Sequence, residues 1–172
     1  MHRPRTNEYA PYFERYIALV PEDDILGTME TQLADALAFL RSIPEDQSAV
    51  RHPPYTWTIK EVIGHLIDCE RIFAYRALRF ARGDATPLTG FEENDYVREA
   101  EFDRLPLRAL IGEFEAARRS HMWLFRNLSE AAWLKRGEAN SNTISVRAVA
   151  YIMVGHVRHH LAIVRKRLTA AA

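Results

Sequence analysis

Three histidines occupy positions 156, 159 and 160 of this chain, within a segment whose apolar residues recur at helical spacing. His156 and His160 are four residues apart, which on an α-helix is one turn plus about 40°, so both imidazoles lie on one face within reach of a shared ion. A helical wheel places this pair on the apolar side and His159 at its edge. The spacing therefore indicates two metal ligands from one helix, and a third ligand must come from elsewhere in the chain.

Two other histidines lie in helical patterns and could supply that third ligand. His65 lies on a polar flank beside the apolar face of an earlier helix, and His121 lies within the apolar stripe of another. For His121 we favour a core or pocket-lining residue with a hydrogen-bond partner, because no second histidine accompanies it at helical spacing. His2 and His52 lie in segments without periodicity and receive no role.

The pair in the last helix also has a simpler interpretation, in which each histidine is a buried, hydrogen-bonded core residue. Two inward histidines on one turn would each need a separate partner, and burying both without a shared ion is costly. The spacing also lacks the glutamate of the metalloprotease motif, because Val157 stands at that position. On spacing alone, metal binding and structural burial both stay open.

Composition excludes several classes of protein. The 172 residues fit one domain, and the 23 basic and 23 acidic residues give a net charge of zero, so the chain has no field that would attract nucleic acid. The single cysteine cannot form an intrachain disulfide, as is typical of a reducing cytoplasm. No apolar run reaches the roughly 18 residues of a membrane span. We therefore expect a cytoplasmic protein with no nucleic-acid partner and no membrane.

Periodicity predicts four long helices and almost no strand. The predicted bounds are about 21–42, 58–82, 106–128 and 143–168. The second helix has the strongest start signal, because Thr58 and Glu61 match a capping box while Trp57 and Val62 match a hydrophobic staple. These amphipathic helices must bury their apolar faces against one another, so they predict a helical bundle.

The connections complete the predicted architecture. Residues 84–106 form a long crossover with one short helix, and residues 136–142 form a polar connection. We therefore predict an all-α four-helix bundle with a long crossover between helices 2 and 3. The chain, 1–172, is predicted to be a single domain with its core at about 22–168 and an N-terminal extension at 1–21.

Three motifs in this chain resemble the DinB-like superfamily, which includes YfiT-type hydrolases and bacillithiol S-transferases. In chain order they are Trp57-Thr58-x-x-Glu61-x-x-x-His65-Leu66, Gly90-Phe91-Glu92-Glu93 and Gly155-His156-x-x-x-His160. The resemblance runs from roughly residue 23 to 168, and the order and separation of the motifs make it fairly specific. It implies a metal-binding four-helix bundle in which His65, His156 and His160 hold a divalent metal.

Such a site suggests a reaction. Three neutral imidazoles leave a divalent ion with open positions, as in catalytic sites, and zinc, nickel or iron would accept them. The ion can lower the pKa of bound water toward 7 or bind a thiol as its thiolate. With the family resemblance, this predicts a metal-dependent S-transferase that adds a low-molecular-weight thiol, its cosubstrate, to a small-molecule substrate. The alternatives are a metal-hydroxide hydrolase of a small ester or amide, and a non-catalytic bundle that the metal stabilises.

Several side chains near the histidines have further predicted roles. Glu61 and Asp68 flank the histidine of the second helix and His159 flanks the pair, so these three could move protons or orient an imidazole. Arg76 could bind a carboxylate of a thiol cofactor. Against these roles, Glu61 could be fully used in the capping box, His159 could face solvent and Arg76 could form an ordinary ion pair. Cys69 is either a core thiol, which we favour, or a neighbour of the metal.

The resemblance also implies an oligomeric state. Members of the family tend to be homodimers whose pocket mouth lies near the metal. Trp123 and Tyr151 have wheel positions that lie away from the core, and exposed aromatic residues favour association. We therefore expect a homodimer.

Overall fold

The computed structural model describes residues 2–170 and is dominated by long helices. In chain order its α-helices are α1 (Glu14–Ile17), α2 (Ile25–Arg41), α3 (Glu45–Ser48), α4 (Ile59–Ala81), α5 (Glu93–Ala100), α6 (Leu107–Arg126), α7 (Glu130–Leu134) and α8 (Val146–Ala170). The predicted four-helix bundle is confirmed: its long helices are α2, α4, α6 and α8, and α4 packs against both α6 and α8. Within residues 2–170, none of the helices combines the length and apolarity needed to cross a bilayer.

α4 begins where the sequence predicted. The Thr58 hydroxyl accepts a hydrogen bond from the Glu61 backbone N–H at 3.0 Å, and the Glu61 carboxylate accepts one from the Thr58 N–H at 2.6 Å. A Cβ on Gly64 would lie 2.2 Å from the ring of Phe102, so only glycine lets this ring lie directly on the helix. The capping box and this close contact fix the position of the helix that carries His65.

A short β-hairpin lies where the sequence predicted only a polar connection, so that prediction was wrong. Its strands are β1 (Arg136–Ala139) and β2 (Asn142–Ser145), which pair antiparallel. Asn140 and Ser141 form the turn, with φ of 51° and 58°. A left-handed φ at both central residues is what one of the favoured two-residue hairpin turns requires. The backbone of Leu88 joins the hairpin through two hydrogen bonds of 2.9 Å. Strands of four residues are too short for alternation to reveal them in the sequence.

The N-terminal segment (residues 2–24) packs along α8. Thr6–Glu8 and Pro11–Phe13 form 3₁₀ turns, α1 follows, and Tyr16, Ile17 and Val20 are buried with the core. A Cβ on Gly155 would lie 2.0 Å from the carbonyl oxygen of Tyr16. Because a backbone atom is the neighbour, this glycine is what allows the segment to lie against α8.

The same segment overturns one prediction about aromatic exposure. Trp123 is 61% exposed, as predicted, but Tyr151 is 0% exposed. The Tyr151 hydroxyl donates to the carbonyl oxygens of Glu22 and Asp23 at 2.9 and 3.2 Å. The helical wheel showed correctly that Tyr151 faces away from the bundle, but a wheel cannot show that another segment covers that side. The homodimer stays a prediction and has lost one of its two supporting residues.

A buried ion pair connects three of the long helices in the interior of the protein. Arg118 donates to both carboxylate oxygens of Glu70 at 2.9 and 2.6 Å, and it donates to the side-chain oxygen of Gln32 at 2.9 Å. Nδ1 of His121 lies 3.3 Å from the Glu70 carboxylate. His121 thus has the hydrogen-bond partner that the sequence predicted. These contacts join α2, α4 and α6.

Candidate metal centre and cavity

α4 and α8 bring the three predicted metal ligands together. Nε2 of His65 lies 3.1 Å from Nε2 of His156, although the two residues are 91 positions apart. The ring centroid of His160 lies 4.4 Å from that of His156 and 4.9 Å from that of His65. We refer to His65, His156 and His160 as the histidine cluster. His65 of α4 faces His156 and His160 of α8 across the interface between the two helices.

Aromatic side chains surround the histidine cluster. The ring of Trp57 lies 5.0 Å from that of His65, and the rings of Tyr16 and Phe73 lie 5.3 and 5.7 Å from that of His156. Tyr16 and Phe73 meet the imidazole edge to face, which is a favourable geometry for aromatic pairs. These rings restrict rotation of the imidazoles and exclude water from part of the site.

Burial keeps the cluster uncharged. Desolvation lowers the pKa of His65 to about 4 and that of His160 to about 3. The pKa of His156 also lies well below its usual value, first because of burial and then because of repulsion from the other histidines. At neutral pH the three imidazoles are therefore neutral, which is the form that binds a metal.

Cys69 lies beside the cluster, one turn after His65. Its Sγ is 3.6 Å from Nε2 of His65, and one ligand atom each from His65, Cys69 and His156 lie within 4.8 Å of one another. The side chain is buried, and burial raises the pKa of its thiol. Cys69 thus lies in the core and also next to the candidate ligands. Its position agrees with both alternatives from the sequence, a core thiol and a neighbour of the candidate metal site.

The spacing of the donor atoms of His65, Cys69 and His156 fits a divalent metal, whereas His160 lies nearby by its ring but adds no atom to this group in the part of the chain that the structure describes. In a tetrahedral site with metal–nitrogen bonds of about 2.0–2.1 Å and a metal–sulfur bond of about 2.3 Å, ligand nitrogens lie about 3.3 Å apart and sulfur lies about 3.6 Å from nitrogen. The corresponding distances here are 3.1 Å between Nε2 of His65 and Nε2 of His156, and 3.6 Å between Sγ of Cys69 and Nε2 of His65. Imidazole and thiolate ligands suit zinc, nickel or iron.

The flanking candidates have different surroundings. Glu61 is used in the capping box and also pairs with Arg51, while Asp68 pairs with Arg71 at a longer 3.5 Å. His159 lies with its ring 5.1 Å from that of His160 and 5.5 Å from that of Tyr16, and it is half-buried rather than fully in solvent. No described contact joins Glu61 or Asp68 to the histidine cluster within residues 2–170.

A cavity of about 360 Å³ opens beside the cluster. Its wall comes from the N-terminal segment, α4, the crossover, the hairpin turn and α8. The lining residues are Ala10, Tyr12, Phe13, Tyr16, Cys69, Phe73, Arg76, Gly90, Phe91, Glu93, Asn140, Asn142 and His156. Of the predicted site residues, His156 and Arg76 reach this cavity. A small molecule that enters it therefore meets the edge of the candidate metal centre.

The sequence did not predict most of the cavity wall. Tyr16 lies in a segment without periodicity, and Asn140 and Asn142 belong to the unpredicted hairpin. Glu93 could have been found, because it ends the Gly90–Glu93 motif that carries part of the family resemblance. The other unpredicted wall residues had no signal in the sequence, because neither the hairpin nor the path of the N-terminal segment follows from local pattern.

Comparisons with known proteins agree with this fold. The chain matches the DinB superfamily over residues 28–164. Its structure is similar to that of YfiT from Bacillus subtilis, described as a probable metal-dependent hydrolase with an unusual four-helix bundle topology. The TM-score is 0.75 at 14% identity, covering 99% of this chain and 93% of YfiT. It is also similar to the mycothiol-dependent maleylpyruvate isomerase, with a TM-score of 0.69 at 15% identity. That match covers 84% of this chain and 61% of the isomerase. No curated protein sequence matches the chain.

The architecture and the histidine cluster define a class of helical bundles with a candidate metal centre between the second and fourth long helices. More particularly, this chain belongs to the DinB superfamily, because the family match covers most of its length. The two structural neighbours share the fold at low identity.

Proposed function

We propose that this protein is a metal-dependent transferase that uses a low-molecular-weight thiol as cosubstrate, with His65, His156 and His160 holding the metal. The observation that carries the proposal is that a cluster of neutral imidazoles borders a cavity large enough for a small molecule. A divalent ion at this site would supply Lewis acidity and stabilise a thiol as its reactive thiolate.

The protein's own residues would position the reactants. His156 borders the cavity, so an incoming thiol can approach the cluster from that side. The rings of Tyr16, Phe73 and Phe91 line the path and keep part of it free of water, which strengthens electrostatic interactions there. The mycothiol dependence of one structural neighbour supports the choice of a thiol.

Hydrolysis of a small ester or amide is the second candidate. It is favoured by the likeness to YfiT, which is described as a probable metal-dependent hydrolase and which aligns with nearly the whole chain. The same metal and the same cavity would serve this reaction, with water in place of the thiol. The two candidates therefore differ in the nucleophile and agree on the ligands.

Metal analysis of the purified protein and of four variants tests the ligand set. We expect His65→Ala, His156→Ala and His160→Ala to lose the metal and any thiol consumption measured with a panel of electrophiles. The matched control is His2→Ala, because His2 is exposed and lies in the N-terminal segment. It should keep both metal and activity, and circular dichroism should show that all variants stay helical.

The outcomes separate the candidates. If ester or amide substrates turn over without a thiol and a chelator stops the reaction, the hydrolase is supported. If neither class turns over but a chelator lowers the melting temperature sharply, the metal has a structural role. Loss of metal in His156→Ala with no change in a detected activity would refute metal-dependent catalysis. A protein that holds no metal and melts equally with a chelator would refute every metal-based proposal.

A further inference from the structure

Arg76 is a buried cation with no carboxylate within ion-pair distance among residues 2–170. Its side chain is 6% exposed and lines the cavity beside the histidine cluster. A guanidinium has five N–H donors, and the described hydrogen bond of Arg76 is a single contact of 3.3 Å from Nη2 to the carbonyl oxygen of Thr89. Several donors therefore remain available to a molecule in the cavity.

Other buried arginines in this chain have partners that Arg76 lacks. Arg118 donates to both carboxylate oxygens of Glu70. Arg167 donates to two backbone carbonyl oxygens and lies outside the cavity. A buried charge is costly unless it is paired and hydrogen-bonded. Arg76 is thus the buried arginine whose surroundings best leave room for an anion.

An apolar part of the cavity wall lies between Arg76 and the histidine cluster. Arg76 follows Cys69 by two helical turns, or about 10 Å along the axis, and side chains on a helix lean toward its N-terminus. Phe73, between them on α4, and Phe91 line the intervening wall. A molecule that reaches from the cluster to Arg76 would place an apolar body against these rings.

We propose that the cavity binds molecules with an apolar body and a terminal carboxylate, and that Arg76 binds that carboxylate. This inference deepens the proposed function and rests on it for the reacting end of the molecule. A carboxylate can accept two parallel hydrogen bonds from a guanidinium and compensates its buried charge. Glu93 lines the same cavity but is exposed and forms no ion pair with Arg76 in the described residues.

The first experiment does not involve a metal. Binding of hexanoate and of 1-hexanol to the metal-free protein is measured by titration with NMR detection. We expect hexanoate to bind at least tenfold more tightly, since hydrogen bonds to charged groups are the strong ones. Arg76→Gln should abolish this preference, while Glu93→Gln, which removes a charge from the same cavity, should retain it. Equal binding of the two probes to the wild type, or loss of the preference in both variants, would overturn the assignment.

The folding of Arg76→Gln is checked by thermal melting. Because the substitution removes a buried charge without an ion-pair partner, the variant should melt at or above the wild-type temperature. Arg76→Lys provides a second variant, and it should keep part of the preference because lysine supplies the charge without the planar fork.

A second experiment distinguishes this inference from the proposed function. Cobalt-loaded protein is titrated with 6-mercaptohexanoate and with 6-mercaptohexanol. The measured quantity is the increase in thiolate-to-cobalt absorption over that of the cobalt-loaded protein without added thiol. If neither thiol adds a band while hexanoate remains preferred over hexanol, the thiol-dependent function fails and the carboxylate site stands. If both thiols add the band with equal affinity and hexanoate has no advantage, the function stands and the carboxylate site is refuted.

Discussion

The contact between Gly155 and the N-terminal segment provides the sharpest test of how the site is built. A Cβ at this position would lie 2.0 Å from the carbonyl oxygen of Tyr16 and 2.5 Å from its carbonyl carbon. Ordinary contacts of a Cβ are 3.4 Å or longer, so Gly155→Ala requires the two backbones to separate by roughly 1–1.5 Å. Backbone atoms cannot rotate aside as the end of a flexible side chain can. The substitution should therefore displace the N-terminal segment from α8.

The cost can be bracketed from the residues that the segment buries. Overpacking of a core typically costs about 1–3 kcal/mol, and because the clash is with a rigid backbone the upper end, about 3 kcal/mol, sets the lower bound. Ile17 and Val20 are almost fully buried, and full exposure of each would cost roughly 1.5–3 kcal/mol, so undocking that exposes these two residues sets an upper bound of about 6 kcal/mol. Alanine offsets about 1 kcal/mol through its better helix propensity. We expect Gly155→Ala to lose about 2–5 kcal/mol of unfolding free energy.

Urea denaturation at pH 7 measures this loss, and Gly112→Ala is the matched control. Gly112 lies in the interior of α6, and a Cβ there would meet no atom within 4 Å. The control should gain about 0.5–1 kcal/mol from helix propensity, so the same chemical change is expected to have opposite signs at the two sites. Tryptic cleavage after the exposed Arg15 should also be faster in Gly155→Ala. If Gly155→Ala is as stable as Gly112→Ala, the reasoning about the segment is refuted.

Three further predictions concern buried polar groups. Burial alone would raise the pKa of Glu8, but its hydrogen bonds, led by that from Arg147, hold it at about 2, below the usual 4.5. The ion pair of Glu8 and Arg147 should therefore stabilise the protein by on the order of 2–3 kcal/mol above pH 4.5, and this contribution should be lost as the pH falls toward 2. In urea denaturation, the difference in unfolding free energy between Glu8→Gln and the wild type should shrink as the pH falls. Glu70→Gln leaves Arg118 as a poorly compensated buried charge and should cost about 3–5 kcal/mol, part of which the added change Arg118→Met should recover; a loss below 1 kcal/mol would contradict this. Cobalt-loaded protein tests whether Cys69 belongs to the ligand set: if His65, His156 and His160 alone hold the metal, the wild type shows no thiolate-to-cobalt absorption band before a thiol is added, and a band that Cys69→Ser removes would add Cys69 as a fourth ligand.

The elements that local pattern predicted are the ones whose signals lie close together in the chain. The capping box of α4 spans four residues, and the pairing of His156 with His160 spans one turn. Such signals depend on backbone geometry that every helix shares, so they were predicted correctly from the sequence. His65 was placed beside this pair through the family resemblance, because the angle between two helices cannot be obtained from either helix alone.

The features that sequence reasoning missed depend on contacts between distant segments. Tyr151 was predicted to be exposed because its wheel position faces away from the bundle, and it is buried because residues near Glu22 cover that side. Gly155 was recognised only as part of a motif, whereas the space around its Cα is set by the backbone of Tyr16. A wheel describes the directions of side chains, but the covering segment is a tertiary property.

The missed segment also contributes part of the cavity wall beside the histidine cluster. The match to the DinB superfamily begins at residue 28, so it includes the histidine cluster and excludes Ala10, Tyr12, Phe13 and Tyr16 of the cavity wall. The likeness to YfiT extends over 99% of this chain, so a segment of this kind belongs to that fold even where its sequence is not matched. This part of the cavity wall thus lies on a part of the chain separate from the histidine cluster. Substitutions in the N-terminal segment should therefore change which molecules bind while leaving metal affinity nearly constant, and substitutions in the histidine cluster should do the reverse.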